Sequence, residues 1–404
     1  MPTEWIGAAE AAQRLGVKPA SLYSYVSRGV LNRRRAVGSR TSLFNASEVE
    51  DLARRGRPRR APGSTELVIE TQVTEISGGR LRYRGHDAIA LARQRTFEDV
   101  AGLLWTGSLG PAWGLPGSWQ ATEAAVAAGS AAQEALPAGT LPLERLQVIV
   151  PALAAADPLR LHLDPPAVIA AGRGLIGGMV DCLPEARQGS APSAGSIAER
   201  LVPRLCPADP GPAIVSVVRA ALVLLADHEL AASTLAARVA ASVRADPYAV
   251  VATGLGAVGG PLHGGASFGA EVMLRSAARA ADAPRAVGDL LRRGERIPGF
   301  GHYVYTESDP RAVALMDLLR EAAPGSERLD VADAVTAEAR RRALPAPNID
   351  FALAALACVA DMIPGAGQAV FAVARTAGWL AHALEEYARG TPIRPRGIYT
   401  GPAG

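Results

Sequence analysis

Gly259-Gly260-Pro261-Leu262-His263-Gly264-Gly265 sets a histidine between paired glycines. With no side chains on either flank, backbone can come close to whatever the imidazole touches, which is the composition of a site more than of a core. Thirty-nine residues on, His302 stands in similar surroundings, Ile297-Pro298-Gly299-Phe300-Gly301-His302, followed by Asp309-Pro310-Arg311. An acid, Asp350, lies in Pro347-Asn348-Ile349-Asp350-Phe351. Two glycine-flanked histidines and a carboxylate are the minimum set for taking a proton from one reactant while giving one to another.

The 404-residue chain around these motifs is long enough for two or three domains and a large core. Hydrophobic residues make up 49% and charged residues 20%, as in a globular enzyme, whereas aromatic residues contribute only 5%. A core rich in alanine and leucine is built more readily from helices than from sheets, so the expected class is mostly α. Cys182, Cys206 and Cys358 are far apart, with no pair at metal spacing, and read as inert core thiols of a reducing compartment; no metal is expected. No N-terminal stretch has the pattern of a signal peptide, and no uncharged apolar run is long enough to span a bilayer. The expectation is a cytoplasmic protein without a membrane partner.

The net charge of +3 is unevenly spread. Residues 1–60 hold twelve Arg or Lys against five Asp or Glu, a balance of +7 that leaves −4 for the remaining 344. A basic front segment suggests an anionic partner. Ala8 to Leu15 reads as a helix with apolar positions at Ala8, Ala11, Ala12 and Leu15, broken by Gly16-Val17. Pro19 suits the first turn of a second helix running through Ser27 and carrying Leu22, Tyr23 and Val26. Arg33-Arg34-Arg35, a Gly38-Ser39 turn and Thr41-Ser42-Leu43-Phe44 read as a two-stranded wing, and Asn45 with Glu48 as a capping box opening a further helix. The stretch resembles the winged helix-turn-helix of MerR-like DNA-binding domains. In that family the second helix enters the major groove, which would offer Ser21, Tyr23, Ser24 and Arg28 for contacts, with Arg33, Arg34 and Arg35 reaching for phosphates. The resemblance implies double-stranded DNA as a partner of residues 1–60. The alternative is a small helical adaptor whose arginines are simply solvated. The basic, Pro/Gly-rich run from Arg54 to Ser64 marks a domain boundary at about residue 64.

From Thr65 the composition is that of a helical enzyme. Leu67 to Ile76 alternates like a short strand, and Gly78-Gly79 turns it into Arg80 to Asp87. Residues 111–203 read as helices joined by loops, with a Pro/Ser loop near Gln188 to Ser196. Ile214 to Val243 reads as one or two buried helices interrupted by Asp227-His228-Glu229. A histidine inside an apolar run needs partners, because burying unpaired polar groups costs several kcal/mol, and a neighbouring carboxylate is the plain candidate. Asp309-Pro310 fits an N-cap followed by proline at the first helical position. Arg311 then falls where the helix dipole disfavours a cation, so a bound anion would explain it. Asn348 or Asp350 could cap the helix running through Phe351 to Asp361. Arg375, in an apolar helical context, needs a carboxylate from the protein or from a substrate.

From about Thr65 to its end the chain resembles citrate synthases. The resemblance rests on motifs in that family's order: Asp227-His228-Glu229, Gly260-Pro261-Leu262-His263-Gly264-Gly265-Ala266, Pro298-Gly299-Phe300-Gly301-His302 with Asp309-Pro310-Arg311, Pro347-Asn348-Ile349-Asp350-Phe351, Ala374-Arg375-Thr376-Ala377-Gly378-Trp379, and Arg394-Pro395-Arg396 with Tyr399-Thr400-Gly401. His228 precedes His263 by 35 residues, an interval in keeping with the family. The resemblance implies a two-domain helical fold, with 65–263 and 364–404 forming a large domain and 264–363 a small one that closes over the substrates about glycines near Gly264 and in Pro364-Gly365-Ala366-Gly367.

It also implies the chemistry. Asp350 would be the base, His263 would hydrogen-bond the thioester oxygen as the enol forms, and His302 would donate to the ketone. His228, Arg311 and Arg375 would hold the carboxylates of oxaloacetate, with Arg394 reaching in from the partner subunit of a homodimer. Arginine suits this because its planar fork pairs bidentately with carboxylates. No tightly bound cofactor is implied; acetyl-CoA enters as substrate and CoA leaves as product. The alternatives are a 2-methylcitrate synthase using propionyl-CoA and a metabolite-sensing DNA-binding regulator on the same fold. The chain departs from the family's commonest pattern at Tyr303, Thr306 and Glu307, where many members have basic residues, so the resemblance carries no phosphate contacts from this loop. Ala231 likewise stands where an asparagine is usual.

Overall fold

The computed structural model describes residues 5–15, 22, 25–26, 31–35, 42–55, 68–110, 119–189, 194–397, 399 and 401. They fall into two units, Met1–Glu70 and Thr71–Gly404. The run 56–67, and with it the expected boundary at 64, lies outside the described residues.

In the first unit, β1 (Trp5–Gly7) leads into α1 (Ala8–Leu15), and β2 (Arg33–Arg35), β3 (Ser42–Asn45) and α2 (Ala46–Arg55) follow. The strands form an antiparallel sheet in the order β1-β3-β2, with Arg33 opposite Phe44 and Arg35 opposite Ser42. The helix at Ala8–Leu15 and the antiparallel β2–β3 pairing match the expected helix and strand pair; the first strand was not foreseen. Ala11, Ala12 and Leu15 on one face of α1 are buried with Ile6, Leu22, Leu31, Phe44, Ala46 and Val49 in a small separate core. The capping box at Asn45 is corrected. Asn45 Oδ1 accepts the Ser47 N–H at 3.1 Å, but Glu48 does not reach back to it. Its carboxylate is drawn to Asn32, whose backbone and side-chain N–H groups both donate at 2.7 Å. Ser21, Tyr23, Ser24 and Arg28, the expected base-contacting residues, lie outside the described residues, as does the turn at Gly38-Ser39.

The second unit opens with an antiparallel meander of β4 (Thr74–Ser77), β5 (Arg80–Tyr83) and β6 (His86–Asp87). Among the described residues the expected strand is shortened to Thr74–Ser77; just upstream, Val73 O accepts the Arg84 N–H at 2.9 Å and the chain is also held by a side chain. Glu385 accepts Thr71 Oγ1 at 2.9 Å and the Gln72 N–H at 2.7 Å. The helices are α3 (Ala88–Gln94), α4 (Phe97–Thr106), α5 (Glu123–Ala131), α6 (Pro142–Ala155), α7 (Pro165–Asp181), α8 (Ile197–Leu205), α9 (Gly211–Leu225), α10 (Ala232–Ser242), α11 (Pro247–Val258), α12 (Gly265–Ser276), α13 (Ala283–Arg292), α14 (Pro310–Ala322), α15 (Glu327–Arg341), α16 (Ile349–Val359) and α17 (Ala366–Arg389). The mostly-α expectation holds, and the interruption at Asp227-His228-Glu229 separates α9 from α10. No helix among the described residues is long and apolar enough to cross a membrane.

α17, 24 residues and about 36 Å long, is the axis of the unit. It starts after Gly365 and stops before Gly390, both at positive φ, and is buried over most of its length. α4, α7, α9, α10 and α11 pack on it. α11 crosses it at Gly254, where a Cβ would lie 2.6 Å from the Trp379 ring. Gly378 is equally obligatory: it donates to the Ala226 carbonyl at 3.0 Å, and any side chain there would strike the Asp227 carboxylate. Through Gly378 the histidine-bearing turn after α9 is pressed against the middle of α17.

Candidate active site

The turn after α9 is fixed from below. Tyr83 in β5 donates toward the carbonyls of Val223, Leu224 and Asp227, each at 3.1 Å. The Asp227 carboxylate is fully buried, accepting from Thr74 Oγ1 at 2.5 Å, from the Glu229 N–H at 3.2 Å and from His382 Nε2 at 3.2 Å. His382 in turn faces Arg238, which is also paired with Glu385 and Glu386. Asp227 is therefore held well ionised by His382, Arg375 and Thr74, against the cost of its burial. The plain expectation that His228 is satisfied by a neighbouring carboxylate is overturned. Asp227 serves another histidine, and His228 Nε2 instead meets the Tyr305 hydroxyl at 3.1 Å. Burial, then Arg311, Arg375 and His302, push His228 well below the usual histidine range, so it is neutral.

His302 and Asp350 are brought together by a short pairing of two loops. The Gly301 N–H donates to Ala346 O and the Asn348 N–H to Gly299 O, both at 2.8 Å, and Asn348 Nδ2 donates to Gly301 O at 2.8 Å. Gly299 and Gly301 have φ of +79° and +80°, and a Cβ at Gly299 would sit 2.9 Å from Phe351. That is the physical content of the Gly-Phe-Gly motif: only glycine lets the two loops touch. Asn348 caps α16 by accepting the Asp350 and Phe351 N–H groups, as one of the two expected alternatives had it. Asp350 stands in the first turn. Its Oδ1 is sealed from solvent with no hydrogen-bond partner among the described residues, although the residue as a whole keeps some exposure. Burial pushes its pKa up to about 7, opposed by Arg311 and Arg375.

His302 Nδ1 accepts two backbone N–H groups, Val304 at 3.0 Å and Tyr305 at 3.3 Å. A neutral imidazole has one N–H, so this arrangement puts the proton on Nε2. Burial and Arg311 lower the His302 pKa, which keeps the ring neutral. Arg311 Nη2 lies 3.4 Å from Nε2. Both atoms are then donors and neither satisfies the other; an acceptor oxygen seated between them would take both.

Arg311, for which a bound anion was expected, already has a carboxylate of its own chain beside it. Asp309 caps α14, accepts the Arg311 N–H, and binds the guanidinium with both oxygens. Arg375 is different. It is 1% exposed, donates Nε to Leu225 O at 2.8 Å and lies 4.6 Å over the Phe371 ring, yet no carboxylate pairs with it among the described residues. Burial lowers its pKa to about 10, so it still carries its charge at neutral pH.

His263 stands against the same α17 face, its ring edge-on to Phe371 at 5.6 Å. Its Nε2 is 2.8 Å from Ser233 Oγ, and that oxygen accepts Trp379 Nε1 at 3.3 Å. The Trp379 contact leaves the Ser233 O–H free for Nε2, an arrangement with the imidazole proton on Nδ1. Burial and then Arg375 lower the His263 pKa to about 4. The glycines that follow are demanded by backbone contact: a Cβ at Gly265 would fall 2.8 Å from Gly260 O.

His228, His302, Asp350, Arg311, Arg375 and His263 thus form one connected set. The His228 and His302 rings are 5.1 Å apart, and Arg375 acts electrostatically on His228, His263 and Asp350. Arg394 is not in it; it lies exposed beyond α17 with no hydrogen bond or ion pair to the other six among the described residues. Sequence reasoning missed Ser233, Tyr305, Phe371 and His382 as partners of the set. Asp309 was read only as a cap. The one available signal was the tight clustering of Tyr305 and Asp309 around His302 and Arg311. No group of His, Cys, Asp and Glu among the described residues could hold a metal ion.

The arrangement offers a carboxyl of raised pKa, two neutral imidazoles as hydrogen-bond donors and a buried guanidinium that pairs with no carboxylate among the described residues. Comparison with known proteins agrees. Residues 64–396 match the family model described as citrate synthase, C-terminal domain. Citrate synthase 2 of Bacillus subtilis is 32% identical over 354 residues, covering 83% of this chain and 94% of that protein. Putative citrate synthase 2 of Mycobacterium bovis is 35% identical over 358 residues, covering 84% and 92%. Among solved structures, citrate synthase from Thermotoga maritima superposes with a TM-score of 0.67 at 25% identity, over 84% of this chain and 94% of that one. With most of its length matched by the family model and relatives above 30% identity aligned nearly end to end, the chain belongs to the citrate synthase family.

Proposed function

We propose that this chain condenses acetyl-CoA, or another short acyl-CoA, with oxaloacetate to give citrate and free CoA. The observation that carries the choice of acceptor is Arg375, a buried guanidinium that pairs with no carboxylate among the described residues. A charge in that position is costly unless an anion arrives, and a small dicarboxylate is the anion this family takes. Asp350 takes the proton from the carbon next to the thioester, a role suited to a carboxylate with a pKa near 7. His263 donates to the thioester oxygen as the enol forms. The carbon attacks the ketone, whose oxygen receives the His302 Nε2 proton. Water then cleaves the thioester and CoA leaves as the thiol. His228, Arg311 and Arg375 hold the acceptor's carboxylates, with Arg394 supplied by the partner of a homodimer.

Residues 264–363 act as the closing domain. Its two ends lie side by side, as a hinge requires: Gln368 Nε2 donates to Gly264 O at 3.3 Å, and Glu271 accepts the Gly365 N–H at 3.1 Å. Residues 1–60 form a cytoplasmic DNA-binding accessory; its support is the net charge of +7 and the paired strands that carry Arg33 to Arg35.

The test is release of free thiol by the purified chain from oxaloacetate with acetyl-CoA or propionyl-CoA. A faster reaction with propionyl-CoA assigns 2-methylcitrate as product. No release with either, together with measurable oxaloacetate binding, would assign a metabolite sensor in place of an enzyme.

A further inference from the structure

The loop joining His302 to Asp309 has no regular structure, and among the described residues none of residues 302–308 makes a backbone–backbone hydrogen bond. Its two ends are fixed, at Gly301 by Asn348 and at Asp309 by Arg311. Between them, one side chain goes inward. Tyr305 is 6% exposed, whereas Tyr303, two residues before it, is 89% exposed. The Tyr305 hydroxyl meets His228 Nε2 at 3.1 Å, its ring lies 4.8 Å from the His302 ring and 5.5 Å from the His228 ring, and the Arg311 guanidinium stands 5.8 Å over its face. The backbone of the same residue and of Val304 supplies the two N–H groups that meet His302 Nδ1.

We propose that Tyr305 is a positioning residue that sets the tautomer of His302 through its anchor on His228. The phenol hydroxyl, held through its hydrogen bond with His228 Nε2, keeps the backbone of 304–305 turned so that both N–H groups point at His302 Nδ1. That confines the imidazole proton to Nε2, the atom beside Arg311. Without the anchor, a loop lacking backbone hydrogen bonds is free to turn its peptides away, and the imidazole distributes its proton over both nitrogens. His228 thereby acts on His302 from 5.1 Å away with no direct hydrogen bond between the rings. The assignment of His302 as donor to the ketone rests on the function proposed above; the tautomer itself does not.

The experiment compares the full chain with Tyr305→Phe, which keeps the ring packing and removes only the hydroxyl, and with Tyr303→Phe on the exposed neighbour. Histidine-selective 15N NMR reads each tautomer, with the His302 signals assigned by their loss in His302→Gln. The unsubstituted chain and Tyr303→Phe should show His302 with an acceptor-type Nδ1 and a protonated Nε2. Tyr305→Phe should show averaged nitrogens, with kcat lowered about tenfold and KM for acetyl-CoA changed less than twofold. A fixed Nε2–H tautomer in Tyr305→Phe would overturn the inference whatever happened to kcat. If the unsubstituted chain released no thiol, the functional reading would fail, and the tautomer comparison alone would decide this one.

Discussion

Asp309 and Arg311 form a buried two-point ion pair, Nε to Oδ1 at 3.0 Å and Nη2 to Oδ2 at 2.8 Å, and the same Oδ2 accepts the Ile349 N–H at 3.1 Å. One carboxylate therefore joins the start of α14 to the start of α16 and so fixes Arg311 relative to Asp350. Removing one partner of a buried pair costs on the order of 3 kcal/mol, because the other charge is left behind. Asp309→Asn should lower the melting temperature and raise KM for oxaloacetate tenfold or more, with KM for the acyl-CoA moving less. Unchanged oxaloacetate kinetics would show that Arg311 holds its place without Asp309.

Asp350→Asn keeps the shape and removes the proposed base, so thiol release should fall by about a hundredfold or more. The same substitution carries a stability prediction of definite sign. A carboxyl raised from 3.8 to about 7 in the folded chain binds a proton that the unfolded chain has already lost between those values. Stability therefore falls as pH rises through that window and stays low above it. The Asn variant lacks this penalty. It should melt above the unsubstituted chain at pH 8, with the difference shrinking toward pH 4, and in the active chain kcat/KM should fall below pH 7 as the base is protonated. A melting difference independent of pH would refute the raised pKa.

Ser233→Ala tests the support of His263. The hydroxyl at 2.8 Å from Nε2 is the ring's hydrogen-bond partner, and Trp379 fixes that hydroxyl in turn. Losing one buried hydrogen bond costs about 1 kcal/mol of stability, so the chain should remain folded. If orientation of His263 matters for enol formation, kcat should drop at least tenfold while oxaloacetate binding, measured by calorimetry, stays within twofold. A drop in binding instead would move His263 to the acceptor side.

Much of the site was legible in advance because its backbone demands are written in glycine. Gly299 and Gly301 need positive φ, and Gly264 and Gly265 need close approach, so the motifs around His302 and His263 stand out in a linear reading. The caps at Asp309 and Asn348 were legible for the same local reason. What the sequence hid was pairing at long range. Nothing near Asp227 announces His382, 155 residues away, and nothing near Arg238 announces Glu386. Glu48 shows the converse failure: a local rule gave it Asn45, and tertiary structure gave it Asn32. Arg311 and Arg375 both looked in want of an anion, and only the fold separates the one beside its own carboxylate from the one that pairs with none among the described residues.

Ala231 offers a stabilising test. It is the N-cap of α10, with extended backbone at φ −55° and ψ 159° and no side-chain acceptor for the first N–H groups of the helix. Asparagine supplies that acceptor, and good N-caps are worth about 1 kcal/mol over alanine. Ala231→Asn should raise the melting temperature by a few degrees with turnover kept. Because α10 also carries Ser233 and Arg238, loss of turnover with a higher melting temperature would show that the uncapped end is tuned for function.

Residues 1–60 should bind duplex DNA and be dispensable for chemistry. Their balance of +7 includes Arg33 and Arg34, both exposed on β2, with the Arg34 guanidinium 4.3 Å over the Trp5 ring. Each phosphate contacted releases counterions, so the logarithm of affinity should fall by roughly 0.9 per contact for each tenfold rise in salt. A homodimer would present two such segments, and bivalency would reinforce weak single-site binding if the linker reaches far enough. Arg33→Ala with Arg34→Ala should flatten the salt dependence by about two contacts. A chain beginning at Ser64 keeps the whole second unit, which starts at Thr71, and should retain turnover while losing DNA affinity. Fluorescence anisotropy with labelled duplex at several salt concentrations, alongside the thiol assay, reads both. Salt-insensitive or absent DNA binding by the full chain would remove the DNA-binding role, and loss of turnover on truncation would make the segment a working part of the enzyme.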